Sequence, residues 1–376
     1  MVRRQRSMEG VVTMAGFWNG RRVLVTGHTG FKGSWLSLLL NRLGAVVTGY
    51  ALPPLSPSIF DLARVRSVLA DDFRDDICNG EALANALNAA DPEIILHLAA
   101  QPLVKAGYID PVETYRVNVL GAAHILEAAR RHSNVRVVLI VTSDKCYEVD
   151  LDGIPHSETA RLGGRDPYSA SKACVELVSS SYKAVFSQTQ TPRIVTARSG
   201  NVIGGGDFAP DRIVPDAIRA FMSGQLLPVR MPGAVRPWQH VLDPLFGYLL
   251  LAEQVSQNSQ AGAWNFGPDE DDEHDVAALV TKIAARWGEP AAWLADPLPH
   301  PPETLTLRLD SRKARLALGW RPLLDFSTTV EWVCDWYRAY AGRADMRAIT
   351  LSQIDSYLAL HERHDAAPTP ISCDGR

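Results

Sequence analysis

Cysteine is scarce: the chain has five, Cys78, Cys146, Cys174, Cys334 and Cys373, and no two form a CxxC pair. An odd, scattered set excludes a disulfide framework and fits reduced thiols in the cytoplasm. Histidine shows no metal-ligand spacing. His361 and His364 stand in HERH near the C-terminus, where a solvated helix face is the ordinary reading, so no metal site is expected. No apolar run approaches the roughly 20 residues of a membrane helix. VVTMAGFW, near the start, lacks the long apolar core and cleavage site of a secretory signal. Basic residues cluster only in VRRQR, also near the start, and the net charge is −4. That excludes the basic surface a nucleic-acid partner needs.

What is present is a composition of 46% hydrophobic and 21% charged residues over 376 positions. Such a chain can bury one large core or two interlocked lobes. Residues 1–17 are expected to be a disordered extension, with Met14 an alternative start, and 366–376 a flexible tail. Between them, the first half alternates strand and helix. RRVLVTG, AVVTGYAL, IILHLAA, VRVVLIVTS and PRIVTARSGNV read as strands. SWLSLLLNRLG, GEALANALNAADPE up to Pro92, TYRVNVLGAAHILEAARR and the stretch from Tyr168 to about Phe186 read as helices. Strands apolar on both sides, separated by helices, predict an α/β fold: a Rossmann-type doubly wound parallel sheet. Residues 18–200 are assigned mainly to a dinucleotide-binding domain. Residues 201–365, richer in proline connections, are assigned mainly to a smaller C-terminal substrate-binding lobe interleaved with it.

Within VTGHTGFKG, Gly27, Gly30 and Gly33 follow a strand and open a helix. Glycines let the backbone turn tightly and approach a pyrophosphate, and the helix N-terminus offers free N–H groups. A tight turn that binds nothing is the competing reading, and the strand–loop–helix context weighs against it. The spacing is GxxGxxG, and after the second strand the chain reads GYALPP. The acid that usually holds the ribose hydroxyls is missing there. NAD and NADP therefore both stay open. Lys32 is placed to attract a phosphate, or is simply solvated.

The strand VRVVLIVTS ends in an acid beside a base, Asp144 and Lys145. Neighbours on a strand point to opposite faces, so both serve one site only if the strand stops and the backbone turns. Ser143 lies at the same strand end. DPYSASK sets Tyr168 and Lys172 four apart, on one helix face. A tyrosine is a poor base near neutral pH unless nearby cations favour tyrosinate. With that help, the pair accepts a proton from a hydroxyl while hydride leaves the carbon. A Tyr and Lys so spaced are ordinarily a surface pair. Here a glycine loop and a strand-end Ser precede them.

This trio, Ser143, Tyr168 and Lys172, resembles the short-chain dehydrogenase/reductase family, and the length and second lobe resemble its extended, nucleotide-sugar branch. GHTGFKGSW, HLAAQPLV, VTSDKCY, DPYSASK, GNVIGGGD and RPWQHV, spread over roughly residues 17–340, together resemble the CDP-glucose 4,6-dehydratases. The resemblance implies a hydro-lyase that oxidises C4 of CDP-D-glucose, eliminates water across C5 and C6, and returns hydride to C6 from its recycled NAD. An epimerase has no use for the second acid/base pair, so Asp144 and Lys145 speak for elimination. By position Asp144 is the acid and Lys145 the C5 base or a charged stabiliser. The catalytic set is then Ser143, Asp144, Lys145, Tyr168 and Lys172. The cofactor set is Gly27, Thr29, Gly30, Phe31, Lys32, Gly33, Asp72, Phe73, Leu98, Ala99, Ala100, Gln101 and Thr142, with Tyr168 and Lys172. Asn201, Arg212 and Arg236 are the substrate-binding candidates. A homodimer or homotetramer is expected, paired through helices beginning near Pro111 and Tyr168. The implied setting is deoxysugar biosynthesis for bacterial lipopolysaccharide O-antigen. The competing readings are another NAD-dependent nucleotide-sugar dehydratase, a 4-epimerase, or a non-catalytic NAD(P)-binding sensor.

Overall fold

Runs such as VVLIV and IILH are apolar at every position, and a strand of that kind needs cover on both faces. In the computed structural model, which describes residues 14–148, 153–186, 192–258, 261–269, 272–297 and 306–366, they form the centre of a seven-stranded parallel sheet. Its strands are β1 (Arg22–Thr26), β2 (Val46–Ala51), β3 (Asp71–Arg74), β4 (Ile94–His97), β5 (Val137–Val141) and β6 (Arg193–Ser199). The Gly262–Phe266 strand joins the edge beyond β6. The spatial order is Gly262–Phe266, β6, β5, β4, β1, β2, β3. The chain runs outward from β1 to β3, then crosses back to lay β4 against the other side of β1. That reversal opens a crevice at the strands' carboxyl ends, between β1 and β4.

Alternate residues feed two cores. Leu24, Ile95, Val138 and Ile140 pack against helices Gly80–Ala90, Gly121–Arg131 and Pro167–Phe186. Val23, Val25, Leu96, Leu139 and Val141 pack on the other face, in one cluster with residues of helices Phe31–Arg42 and Leu242–Gln257. The C-terminal segment therefore supplies an edge strand and part of one face.

Some elements differ from the sequence reading. Asp71–Arg74 forms a strand although only Phe73 in DDFR is apolar, because pairing with β2 supplies what local pattern does not. Within the stretch read as a disordered extension, Met14–Trp18 forms a short helix with Phe17 and Trp18 buried. Residues 1–13 and 367–376, with Cys373, lie outside the described residues. The long helix starts at Pro111, three residues before TYRVNVLG and where a helix start was expected, with Asp110 capping the Glu113 N–H at 3.0 Å. It passes through a π-turn over residues 116–120 before resuming to Arg131. Among the described residues, no helix is long and apolar enough to cross a membrane.

Candidate active site

The glycine loop turns where only glycine fits. Gly27 has φ +73°, and a Cβ there would lie 2.7 Å from the Ala99 nitrogen. At Gly33 a Cβ would come 2.1 Å from the Gly27 carbonyl oxygen. The loop is thus pressed against the ends of β1 and β4. Helix Phe31–Arg42 starts from it with no side-chain cap, leaving its first N–H groups for a ligand.

A cavity of about 310 Å³ runs from this loop along the crevice. Gly27, Thr29, Gly30, Phe31, Lys32 and Gly33 line it, as do Leu98, Ala99, Ala100, Thr142, Tyr168, Lys172 and Arg212. Its far end is closed by Tyr50, Leu52, Asp76, Ile77 and Arg116. Three expected cofactor residues are elsewhere. Asp72 belongs to β3 and is held by His28 at 2.9 Å and by Arg74 at 2.7 Å, while Phe73 packs into the sheet core. Past the end of β3, the residues that reach the cavity are Asp75, Asp76 and Ile77. Gln101 turns away: its amide donates to Thr114 Oγ1 at 2.9 Å, and its carbonyl oxygen accepts from the Leu103 N–H at 2.6 Å.

At the other end the question posed by Asp144 and Lys145 is answered by the backbone. β5 stops at Val141, Ser143 is extended, and Asp144–Cys146 makes a single 3-10 turn. Ser143 Oγ accepts from the Lys145 N–H at 3.2 Å and donates to Asp144 Oδ1 at 2.9 Å. Asp144 is 3% exposed, and its Oδ2 has no hydrogen-bond partner among the described residues. A Cβ at Gly200 would sit 3.3 Å from that oxygen. Burial pushes the Asp144 carboxyl up, against the pull of Lys145, Ser143, Arg236 and Lys32. The group is thereby suited to hold a proton and give it up. Lys145 is half-buried and stands outside the cavity lining.

Burial pushes Tyr168 up to about 12, a hydrogen bond from Ser143 lowers it, and the Asp144 charge raises it further. Desolvation is thus the dominant influence on Tyr168, and Arg212 is the cation that lowers it. Lys172 itself is pulled down to about 8 by burial, with Glu176 acting in the opposite sense. Its ammonium donates to the Val141 carbonyl at 3.3 Å. Lys32 is drawn inward, away from solvent. It donates to Ser199 Oγ at 2.9 Å, beside the Tyr248 hydroxyl that donates to the same oxygen at 2.8 Å. Burial, then Arg212, brings Lys32 down to about 7.

The substrate candidates separate. Arg212 lines the cavity and is anchored by Asp207 at 2.8 Å. Arg236 is buried, and its charge acts on Asp144. Asn201 lies between β6 and the short strand Val202–Ile203, its carbonyl accepting from the Gln239 N–H at 3.1 Å. The loop Gly204–Gly206 packs tightly: Trp35 donates to the Gly205 carbonyl at 2.9 Å, and a Cβ on Gly205 would strike Trp336 at 2.0 Å. It is a turn packed into the core. Sequence reasoning passed over Glu176 and Arg198, an ion pair at 2.7 Å with both side chains 4% exposed. Glu176 lies four residues after Lys172 on the same helix, and that spacing was the available signal.

Residues 23–267 match the NAD dependent epimerase/dehydratase family. The CDP-glucose 4,6-dehydratase of Salmonella typhimurium is 41% identical over 92% of this chain and 99% of its own. In structure, the Thermus thermophilus UDP-glucose 4-epimerase in complex with NAD is similar, with TM-score 0.72 and 27% identity over 84% of this chain and 99% of that one. A dTDP-glucose 4,6-dehydratase from Streptomyces venezuelae with NAD and TYD bound gives TM-score 0.74 at 24% identity, over 87% of this chain and 99% of that one.

Proposed function

This chain belongs to the NAD dependent epimerase/dehydratase family, and from that premise we propose that it is a CDP-D-glucose 4,6-dehydratase, releasing CDP-4-dehydro-6-deoxy-D-glucose and water. The observation that carries this reading is the buried Asp144 carboxyl, its free oxygen beside Gly200, on the turn that follows Ser143. An epimerase has no step for such an acid.

The cofactor cradle fits a dinucleotide: Gly27 and Gly33 leave room only for backbone, and the cavity joins that loop to Tyr168. Held on this loop, NAD would supply an acceptor for the C4 hydride and the source of the hydride at C6. The rest falls to side chains. Tyr168 accepts the C4 hydroxyl proton, Ser143 hydrogen-bonds the same oxygen, and Lys172 holds positive charge below them. The resulting ketone acidifies C5. Lys145 takes the C5 proton as Asp144 protonates the departing C6 hydroxyl; C5–H and C6–O break, C5=C6 forms and water leaves. The proton on Lys145 then goes back to C5. Over one cycle Tyr168 gains a proton and Asp144 loses one. Ser143, hydrogen-bonded to both, is the group through which that difference is made good. Arg236 and Arg212 would hold the diphosphate, as guanidinium forks do, and Asn201 would also contact the substrate.

In this reading residues 18–200 mainly hold the cofactor and 201–365 mainly the sugar nucleotide. The protein works in the cytoplasm as a homodimer or homotetramer. Tyr108, Ile109, Val112 and Leu120 near one helix start, and Leu177 and Val185 on the Pro167–Phe186 helix, are exposed and support pairing through those helices. The test is incubation of purified protein and NAD with CDP-glucose, beside dTDP-, UDP- and GDP-sugars, followed by alkali-induced absorbance of the 4-keto-6-deoxy product. Product from CDP-glucose is expected. Folded, cofactor-loaded protein that makes none from any donor would overturn the proposal.

A further inference from the structure

One buried ion pair grips both ends of the acid/base turn. Glu176 Oε1 accepts from Thr142 Oγ1 at 2.5 Å, at the start of residues 142–147. Arg198 binds that carboxylate through Nε at 2.9 Å and Nη2 at 2.7 Å. Its other arm, Nη1, donates to the Tyr147 hydroxyl at 2.8 Å, at the end of the same segment. Thr196 Oγ1 gives Glu176 its remaining bond, at 2.7 Å. The pair sits on helix Pro167–Phe186 and on β6, so the turn is fixed against the two elements that border the reacting end.

The grip continues outward. The Tyr147 hydroxyl donates to Asn265 Oδ1 at 2.7 Å, and Asn265 donates to the carbonyls of His156 at 2.8 Å and Asp310 at 3.1 Å. Tyr147 is 3% exposed and stacks on His156 with ring centroids 4.8 Å apart. Between the two anchors lie Ser143, Asp144 and Lys145, in a turn whose own 3-10 bonds are both long, Cys146 N to Ser143 O at 3.2 Å and Tyr147 N to Asp144 O at 3.4 Å. Such a short turn cannot hold an unpartnered carboxyl oxygen in place by itself. The anchors do so.

We infer that Glu176 and Arg198, acting through Thr142 and Tyr147, are positioning residues for the elimination step: they hold Asp144 and Lys145 at the C5–C6 end while Tyr168 and Lys172 are placed by their own helix. The inference rests on the dehydratase reading. It predicts that loosening the far anchor damages elimination and spares C4 oxidation, because Tyr147 touches the turn after Asp144 and makes no bond to Tyr168 or Lys172. A loss of general stability would slow both steps alike.

The test is Tyr147→Phe, followed at 340 nm for reduced cofactor and in parallel for keto-sugar. In the wild type, hydride returns quickly and little reduced cofactor stands. In the variant, cofactor reduction should stay within about twofold of wild type, keto-sugar formation should fall about tenfold, and absorbance at 340 nm should accumulate during turnover. KM for CDP-glucose should stay within about twofold. Arg198→Lys, which keeps a charge beside Glu176 but loses the arm to Tyr147, should act in the same direction. Equal slowing of both steps, or no accumulation at 340 nm in folded variants, would overturn the inference. If the wild type forms no keto-sugar, it is the dehydratase reading that fails, and the comparison of variants is not reached.

Discussion

The two ends of the crevice are built from different materials. The glycine-loop end is made of backbone: Gly27 and Gly33 touch the neighbouring chain so closely that any side chain would collide. The acid/base end is made of buried charge, with Asp144, Lys172, Glu176 and Arg198 each under a tenth exposed. At the first end a substitution acts by size. At the second it acts by protons and fields, in a medium where an unpaired polar group costs far more than in water. The difference teaches that binding and chemistry can be broken separately in this protein.

Substitutions at the charged end should have the largest effect on rate. Tyr168→Phe removes the group that takes the C4 proton, and keto-sugar formation should fall about 10²- to 10⁴-fold, with no reduced cofactor seen at 340 nm. Asp144→Asn should cost a similar factor in product yet leave reduced cofactor visible. These two variants sharpen the comparison inside the charged end itself, by separating oxidation from elimination. At the backbone end, Gly33→Ala places a methyl 2.1 Å from the Gly27 oxygen. The loop must shift, and we expect cofactor affinity to drop at least about tenfold by titration, with overpacking costing about 1–3 kcal/mol in denaturant melts.

Asp243 provides a smaller effect away from the crevice. It is buried, accepting from the Leu323 N–H at 2.8 Å and the Tyr357 hydroxyl at 2.9 Å, and burial pushes it up to about 7. A carboxyl raised on folding contributes most below its unfolded value near 4, and the contribution is lost as pH rises through about 7. Asp243→Asn abolishes that titration. The variant's melting temperature, relative to wild type, should rise between pH about 4 and 7 and stay level above. Smallest of all should be Arg42→Ala. Its pairing with Asp355 is close to half exposed on both sides, and such pairs contribute at most about 1 kcal/mol. Activity should be unchanged.

Much of this was legible in the sequence for a physical reason. The loop VTGHTGFKG and the strands around it are specified by local pattern, and the cavity lining matches that reading at Gly27, Thr29, Gly30, Phe31, Lys32 and Gly33. Tyr168 and Lys172 are likewise a one-turn relation on a helix, which spacing alone conveys. Asp72 and Phe73 lie outside the cavity lining because they belong to β3, and DDFR does not look like a strand. Without β3 its carboxyl end could not be located, nor could Asp75, Asp76 and Ile77, which do line the cavity. Gln101 adjoins the cavity-lining Ala100 in sequence, but its side chain is claimed by Thr114, a long-range choice that no local pattern encodes. Lys32 lines the cavity from the first turn of helix Phe31–Arg42, yet its bond to Ser199 spans 167 positions. The Glu176–Arg198 pair also joins distant segments, and only half of it, the i+4 relation to Lys172, was within reach of the sequence.

The measurement that most directly tests the central claim uses CDP-glucose carrying deuterium at C4, turned over by the purified holoenzyme, with the product read by mass spectrometry and NMR. A dehydratase that recycles its own hydride moves the label to C6 of the 4-keto-6-deoxy product, with no transfer to added NAD. Label remaining at C4 of a sugar epimer, or appearing in free reduced cofactor, would contradict the account.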